Sequence, residues 1–522
     1  MKHAKTLWQA GLRITTAFRL LGFVALTVLL TGRPDRLPGE EKAARQRSTN
    51  VLLIVSEDNG PHLGCYGDSH VQTPNLDKLA AEGVRFERAF VATASCSESR
   101  SSIFTGLYPH QNGQIGLATH RYSMYQKHPN IPSLLKKEGY RTGILGKLHV
   151  NPESAFPFDF RWNDHKFCSF SHRDVHKIAG VAEQFITDSD QPFFLMVNYP
   201  DAHLPWLQQQ NGIPAKPLTA KDVHTLPFAG VDGPRLRECA ANYYNCIRRL
   251  DRAIGLLLEK LVKAGCAENT LVIYVGDHGA QFPRGKLSCY ESGLRVPLIV
   301  RWPGRAREGL VREELVATVD ILPSILDAVG AEMPGHLAGR SFLPLLREKP
   351  TEWREYLFAE YHGHYPPLYF PQRTVRDHRY KLIVNLLQDR PNPVAATYGK
   401  VMSGRAYYLD SELAAAGDDV RRVYRTWADA PPVELYDLEK DPYEFNNLAA
   451  RPEYAAIQEK LCTQLEAWQK QTADPLTDPR KLARLTEEED AQARGYQRHE
   501  KFRSSNWKYH EYLFGRTAPR SR

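Results

Sequence analysis

The chain has 522 residues, 42% of them hydrophobic, which is enough apolar material for a large core; intrinsic disorder is excluded as its general state, and more than one domain is expected. Lys and Arg number 68 against 60 Asp and Glu, a formal net charge of +8, but much of the basic excess sits in the two terminal segments. The charge therefore describes the ends of the chain, and no nucleic-acid partner is expected from it.

Residues 1–32 carry Lys2, His3, Lys5, Arg13 and Arg19 ahead of the apolar run Leu20–Leu30. A basic start followed by an apolar segment too short for a confident span predicts export, through a signal peptide or an uncleaved N-terminal anchor that would tether the chain to a membrane. The expected location is periplasmic, extracellular or membrane-tethered. Residues 33–48, rich in Pro, Glu, Lys and Arg, predict a solvated spacer. The eight cysteines show no metal-site spacing, and their spacing leaves any disulfide connectivity open.

From Asn50 onward, short apolar runs alternate with helical stretches. Val51–Val55 is a continuous β-branched and leucine run, as expected of a strand buried on both faces of a parallel sheet. Thr73–Gly83 predicts a capped helix ended by glycine, and Ile131–Gly139 repeats that pattern with Pro132 near its start. Leu236–Ala264 predicts a long helix, Val296–Val300 a further strand, and Val319–Asp327 a loop entering a helix. Beyond Tyr356 the runs Tyr380–Asn385 and Val433–Asp437 and a helix from Glu453 to Thr472 predict a smaller α+β subdomain. The expected fold class is α/β: a large mixed, mostly parallel sheet flanked by helices over residues 49–355, the smaller subdomain over 356–473, and a charged extension over 474–522 that is either an arm on the body or a tail.

Four of the buried-looking runs end in chemistry-bearing residues. Val51–Val55 leads into Glu57 and Asp58, Thr142–Gly146 into Lys147 and His149, Phe193–Asn198 into Asp201 and His203, and Thr270–Val275 into Asp277 and His278. In an open α/β sheet ligands collect outside the carboxyl ends of the strands. One polar end would mean only that loops are polar; four, with acidic, imidazole and ammonium groups, mark a site. The stretch Ala94–Gly106 adds Cys96 four positions before Arg100, where a helix is expected to start, with Ser95 or Ser97 as its cap. A helix N-terminus beside a forked arginine suits sulfate or phosphate. Taken alone, Cys96 would read as a small buried hydrophobe.

These residues resemble a type I sulfatase of the alkaline phosphatase superfamily, over residues 50 to about 470, and within it the heparan N-sulfatase (sulfamidase) group. The resemblance is carried by Glu57-Asp58, Cys96–Gly106, Leu107–Gly113, Gly146–Val150, Asp277–Gly279, and Glu434–Asp437 with Asp441-Pro442 and Asn447-Leu448, all in the family's order. His110–Gly113, Pro157–Phe160 and the run from Arg373 to Asn385 point to the N-sulfatase group. The family's fold is alkaline phosphatase-like.

The resemblance implies that Cys96 is the position oxidised to formylglycine by a generating maturase, its hydrate presenting the nucleophilic oxygen. It implies a divalent cation, usually Ca2+, on Glu57, Asp58, Asp277 and His278. Arg100 and Lys147 match the groups that polarise the nucleophile and stabilise developing charge. His203 and Lys286 match those around the leaving atom, His203 as general acid, and His149 the base that regenerates the aldehyde. Glu360, His362, His364 and Arg373 lie where substrate-recognition residues are expected. The implied substrate is a sulfated carbohydrate, an N-sulfoglucosamine or a sugar O-sulfate.

Three positions depart from the family. His278 stands where asparagine is more frequent, and Lys286 stands where sulfamidases have arginine, keeping the charge without the fork. Glu98 occupies the third place of the Cys-x-Pro-x-Arg motif, which holds proline or alanine; glutamate brings neither proline's constraint nor neutrality. Two alternatives follow: a phosphate or phosphonate ester hydrolase of the same superfamily, and a sulfatase-like glycan-binding protein left unmatured because of Glu98.

Overall fold

The run Asn50–Ser56 forms β1, with every residue buried. Each leucine or isoleucine enclosed in this way contributes roughly 1.5–3 kcal/mol. The structure, a computed structural model, describes residues 49–400, 407–497 and 507–516. The expected export signal and spacer, residues 1–48, lie outside the described residues.

After β1 come β2 (Val84–Phe86), β3 (Ala89–Phe90), β4 (Arg141–Leu145), β5 (Phe160–Trp162) and β6 (Phe193–Tyr199). They are followed by β7 (Thr270–Gly276), β8 (Leu298–Arg301), β9 (Leu310–Arg312) and β10 (Val316–Ala317). Eight of these make one sheet in the order β5-β4-β6-β1-β7-β8-β2-β9. All neighbours run parallel except β8, which is antiparallel to both β7 and β2. β3 and β10 form a separate parallel pair. This is the mixed, mostly parallel sheet with flanking helices that the alternation of apolar runs and helical stretches implies.

The long helix spans Pro234–Lys263 and packs on the Val175–Thr187 helix. At Pro74–Ala81 the expected helix forms without the expected cap. Thr73 Oγ1 instead donates to Asp77 Oδ1 and accepts from the Gly64 N–H, tying the helix to the preceding turn. The Ile131–Lys137 helix is capped, by Asn130 Oδ1 accepting from the Ser133 N–H.

A second, antiparallel sheet holds β11 (Leu357–Tyr361), β12 (Gln372–Arg376), β13 (Tyr380–Asn385) and β14 (Val433–Asp437) in sequential order. The helix Ala455–Gln471 lies against it. Two helices of the expected charged extension, Pro479–Gln497 and Tyr509–Phe514, close a second apolar cluster with Ile115, Tyr122, Tyr369, Leu485, Trp507 and Tyr509. All eight cysteines are free. Among the described residues no helix is long and apolar enough to cross a membrane.

Candidate active site

β4, β6, β1 and β7 are adjacent and parallel, so their C-terminal ends open along one edge. The four polar strand ends read from the sequence therefore meet there. Gly146, at φ 80°, is required by this approach: a Cβ would sit 2.5 Å from the Asn198 carbonyl oxygen. Its absence lets the segment carrying Lys147 and His149 pass over the end of β6.

The helix Cys96–Thr105 is buried along its whole length and ends at Gly106, φ 65°. Ser99 Oγ donates to the Asp277 carbonyl at 2.5 Å, pinning the helix to the end of β7. Arg100, one turn after Cys96, donates through Nε to Asp277 Oδ2 (3.1 Å) and through Nη1 to Asn198 Oδ1 (2.6 Å) and the Lys147 carbonyl (3.0 Å). Neither expected serine caps the helix. Ser95 Oγ donates to Glu98 Oε2 (2.8 Å) and bonds His364 Nδ1 (2.9 Å), while Ser97 Oγ accepts from the Ala118 N–H (2.9 Å). A buried carboxyl and a neighbouring loop claim the two hydroxyls first.

Around Cys96 anionic and cationic groups alternate. Lys147 Nζ lies 2.6 Å from Glu57 Oε2, and Lys286 Nζ donates to both Asp58 oxygens at 3.0 Å. His278 Nε2 lies 3.2 Å from Cys96 Sγ and 3.3 Å from Asp58 Oδ1. Burial alone would raise the Cys96 thiol, but Lys147, Lys286 and His278 outweigh it and hold the group well below its ordinary value. Burial would likewise lower His278, yet Asp277, Cys96 and Asp58 raise it to about 9. Burial works against ionisation of Glu57, Asp58 and Asp277 too, and their cationic neighbours keep all three below the usual carboxylate range.

His149, at φ 56°, is pushed far below the usual histidine value by burial and then by Lys147 and Arg100; it is neutral, and neither ring nitrogen has a hydrogen-bond partner among the described residues. His203 Nδ1 is 2.6 Å from the Leu204 carbonyl, which leaves Nε2 directed toward Asp58 Oδ2 at 4.0 Å. A cavity of about 670 Å³ opens over this centre, lined by Cys96, Lys147, His149, His203, His364 and Phe170 among others.

Glu98 is 1% exposed. Burial raises its carboxyl well above the ordinary range and so favours the protonated form, one oxygen on Ser95 Oγ and the other without a partner among the described residues. A neutral Glu98 does not repel an oxyanion in the neighbouring cavity.

Of the four expected substrate-recognition residues, His364 lines the cavity and the other three do not. Glu360 and His362 alternate onto the same face of the β11 end, and Glu360 pairs in register with Arg373 of β12. That face is covered. Glu360 accepts from the His110 N–H (2.8 Å) and lies 2.5 Å from His110 Nδ1; Arg373 donates to both oxygens of Asp474 (2.7 and 2.9 Å) and lies 3.1 Å from His362 Nε2. Burial opposes the charge on Glu360, but His110 and Arg373 bring it down to about 2. These three belong to a buried ion network joining the second sheet to the rest of the body, which corrects their expected place at the substrate.

The donor set fits a divalent cation. Asp58, Cys96 and His203 can offer ligand atoms within 4.8 Å of one another, as can Cys96, Asp277 and His278, so the two groups meet at Cys96. Three buried carboxylates, Glu57, Asp58 and Asp277, supply the hard oxygen donors that a divalent cation prefers, and Arg100, Lys147 and Lys286 supply positive charge for an oxyanion beside it. Two contributors escape sequence reasoning. Asn198 could have been found as the last polar residue of a buried strand; Phe170, in an irregular polar loop, carries no signal of periodicity.

The chain is similar to known proteins along most of its length. A family model described as Sulfatase matches residues 49–331, and one described as N-sulphoglucosamine sulphohydrolase, C-terminal, matches residues 276–390. The chain is 33% identical over 470 residues to human N-sulphoglucosamine sulphohydrolase, covering 83% of this chain and 92% of the relative. It is 30% identical over 448 residues to an ulvan-active sulfatase of Formosa agariphila, covering 84% and 83%. A solved structure in complex with its substrate D-glucosamine-2-N,6-O-disulfate shares the fold at TM-score 0.59 and 21% identity, over 82% of this chain and 98% of that one.

Proposed function

The chain belongs to the sulfatase family, and on that premise we propose that it hydrolyses sulfate from a sulfated glycan, N-sulfoglucosamine foremost, in an exported compartment. The observation that carries the reading is the ring of Arg100, Lys147, Lys286 and His278 around Cys96, interleaved with three buried carboxylates: it suits a sulfate held beside a metal and a nucleophile. The N-sulfo preference is supported by similarity to the human relative along nearly all of its length and by the match to that family's C-terminal model.

Glu57, Asp58, Asp277 and His278 would hold the cation, Ca2+ by the family pattern, which supplies Lewis-acid stabilisation of the sulfate oxygens. Cys96, oxidised by the maturase, would supply a formylglycine hydrate as nucleophile. Arg100 and Lys147 orient that group and neutralise developing charge, held rigid by Asn198, Asp277 and Glu57. His203 donates a proton from Nε2 to the departing nitrogen or oxygen, while Lys286 fixes Asp58 and adds positive charge beside it. His149, neutral with both nitrogens free of protein partners among the described residues, accepts the proton released at position 96. Residues 49–355 would form the catalytic unit and 356–473 a subdomain buttressing it.

Release of inorganic sulfate from N-sulfoglucosamine, glucosamine 6-O-sulfate and an aryl sulfate, beside phosphate release from the matching aryl phosphate, tests the reading. Sulfate release with N-sulfoglucosamine leading is expected. Preferred turnover of the phosphate ester would overturn it in favour of a phosphate or phosphonate hydrolase, and no turnover of any ester would favour a glycan-binding protein.

A further inference from the structure

Phe170 is 39% exposed, an unusual state for a phenylalanine in a chain with so large a core, and it sits on the wall of the active-site cavity. Its ring lies flat on the His203 imidazole, centroids 4.0 Å apart and planes 10° from parallel. Lys147 Nζ lies 5.4 Å from the same ring's centroid, within cation–π range. One exposed aromatic side chain thus touches two groups of the site.

Its support is fastened to the residue it covers. Cys168 and Arg173 form an antiparallel bridge, and between them the Ser169 N–H donates to the His172 carbonyl (2.7 Å) while the His172 N–H donates to Ser169 Oγ (3.1 Å), so Phe170 stands at the tip of a closed hairpin. Arg173, 2% exposed, donates to the His203 carbonyl (2.6 Å), the Pro205 carbonyl (3.0 Å) and Asp201 Oδ1 (2.5 Å). Arg249 donates to both Asp201 oxygens, from Nε to Oδ2 at 3.0 Å and from Nη2 to Oδ1 at 2.5 Å. Hairpin and His203 segment are therefore one rigid unit. Within it, the Leu204 carbonyl holds one edge of the imidazole, and the stack on Phe170 holds its plane.

We infer that Phe170 is a positioning residue for His203: it fixes the tilt of the imidazole so that Nε2 faces the leaving atom, and it keeps water off one face of the ring. The inference rests on the reading of His203 as general acid. Without the ring the imidazole can rotate about its side-chain bonds, and proton donation suffers while the sulfate pocket, built on other strands, stays intact.

Leaving-group dependence provides the test, using Phe170→Ala, Phe170→Leu and Phe170→Tyr in the full chain. On N-sulfoglucosamine, whose departing nitrogen needs a proton, Phe170→Ala should lower kcat roughly 10–100-fold, part of the 100–10,000-fold that a general acid supplies, with KM within about 2-fold. On 4-nitrophenyl sulfate, whose leaving group departs without one, the loss should stay under about 3-fold, and Phe170→Tyr should restore most activity on both. Phe170→Ala added to His203→Asn should cost nothing more. Equal losses on both substrates, or a change in KM alone, would overturn the positioning role. Unimpaired N-sulfoglucosamine turnover by His203→Asn alone would remove the general-acid premise, and the inference with it. A readout that needs no turnover is diethylpyrocarbonate labelling of His203, followed by peptide mass spectrometry: the rate should rise several-fold in Phe170→Ala and Phe170→Leu, and an unchanged rate in both would overturn the proposal.

Discussion

Glu489 offers a quantitative handle on how the C-terminal arm is attached. It lies on the helix Pro479–Gln497, 2% exposed, and both carboxyl oxygens are within 2.8 Å of the Tyr122 hydroxyl. Burial, reinforced by Glu488 and Asp490 and only partly offset by the Tyr122 hydrogen bond, raises its pKa from 4.5 to about 8. Each tenfold change in proton affinity is worth about 1.4 kcal/mol, so the docked arm is weakened by about 3 kcal/mol at pH 7 and about 5 kcal/mol above pH 8, relative to acid conditions where the undocked side chain is also protonated. The sign follows from the raised value: the stability is fully present below about pH 4.5 and is lost as pH rises through about 8. Glu489→Gln keeps an acceptor for Tyr122 and removes the titration. Amide exchange across residues 479–497, referred to intrinsic rates at pH 5, 7 and 9, should give nearly equal opening free energies at pH 5 and an advantage to the Gln variant that grows with pH. Parallel profiles, or a wild-type arm that gains on the variant as pH rises, would refute the argument that this carboxyl is buried neutral.

Other outcomes follow from the same physics. Asp474→Asn removes one arm of a buried pair with Arg373 and should cost about 3 kcal/mol in a denaturant titration, against near-zero for an exposed-pair control such as Asp418→Asn. Glu98→Gln should match the wild type in stability near pH 4, where the carboxyl is protonated folded and unfolded alike, and become the more stable form as pH rises, because burial raises the native carboxyl well above its ordinary range. Chelator treatment should abolish sulfate release while leaving the thermal transition cooperative, since Lys147, Lys286 and Arg100 already serve as counter-ions to Glu57, Asp58 and Asp277; collapse of the fold would contradict that balance.

Much of this was legible before the fold. A β-branched and leucine run such as Val51–Val55 is what a parallel strand covered on both faces requires, and once four such runs are adjacent and parallel their polar ends converge. What stayed hidden depends on partners far apart in sequence. Glu360, His362 and Arg373 look like recognition groups until the register of β11 and β12 and the arrival of Asp474, 101 residues beyond Arg373, turn them inward. Ser95 and Ser97 look like caps until Glu98 and the Ala118 amide claim their hydroxyls. The charge state of Glu98 is set by burial, which no local pattern encodes, and Phe170 owes its place to Arg173 locking a hairpin onto the His203 backbone.

We propose that position 96 carries the nucleophile of a sulfatase despite a glutamate two residues on. Peptide mass spectrometry of the Cys96 segment, on protein purified from its native host, addresses it most directly. The aldehyde form of residue 96 is expected; a peptide found only as the unmodified thiol would contradict the account.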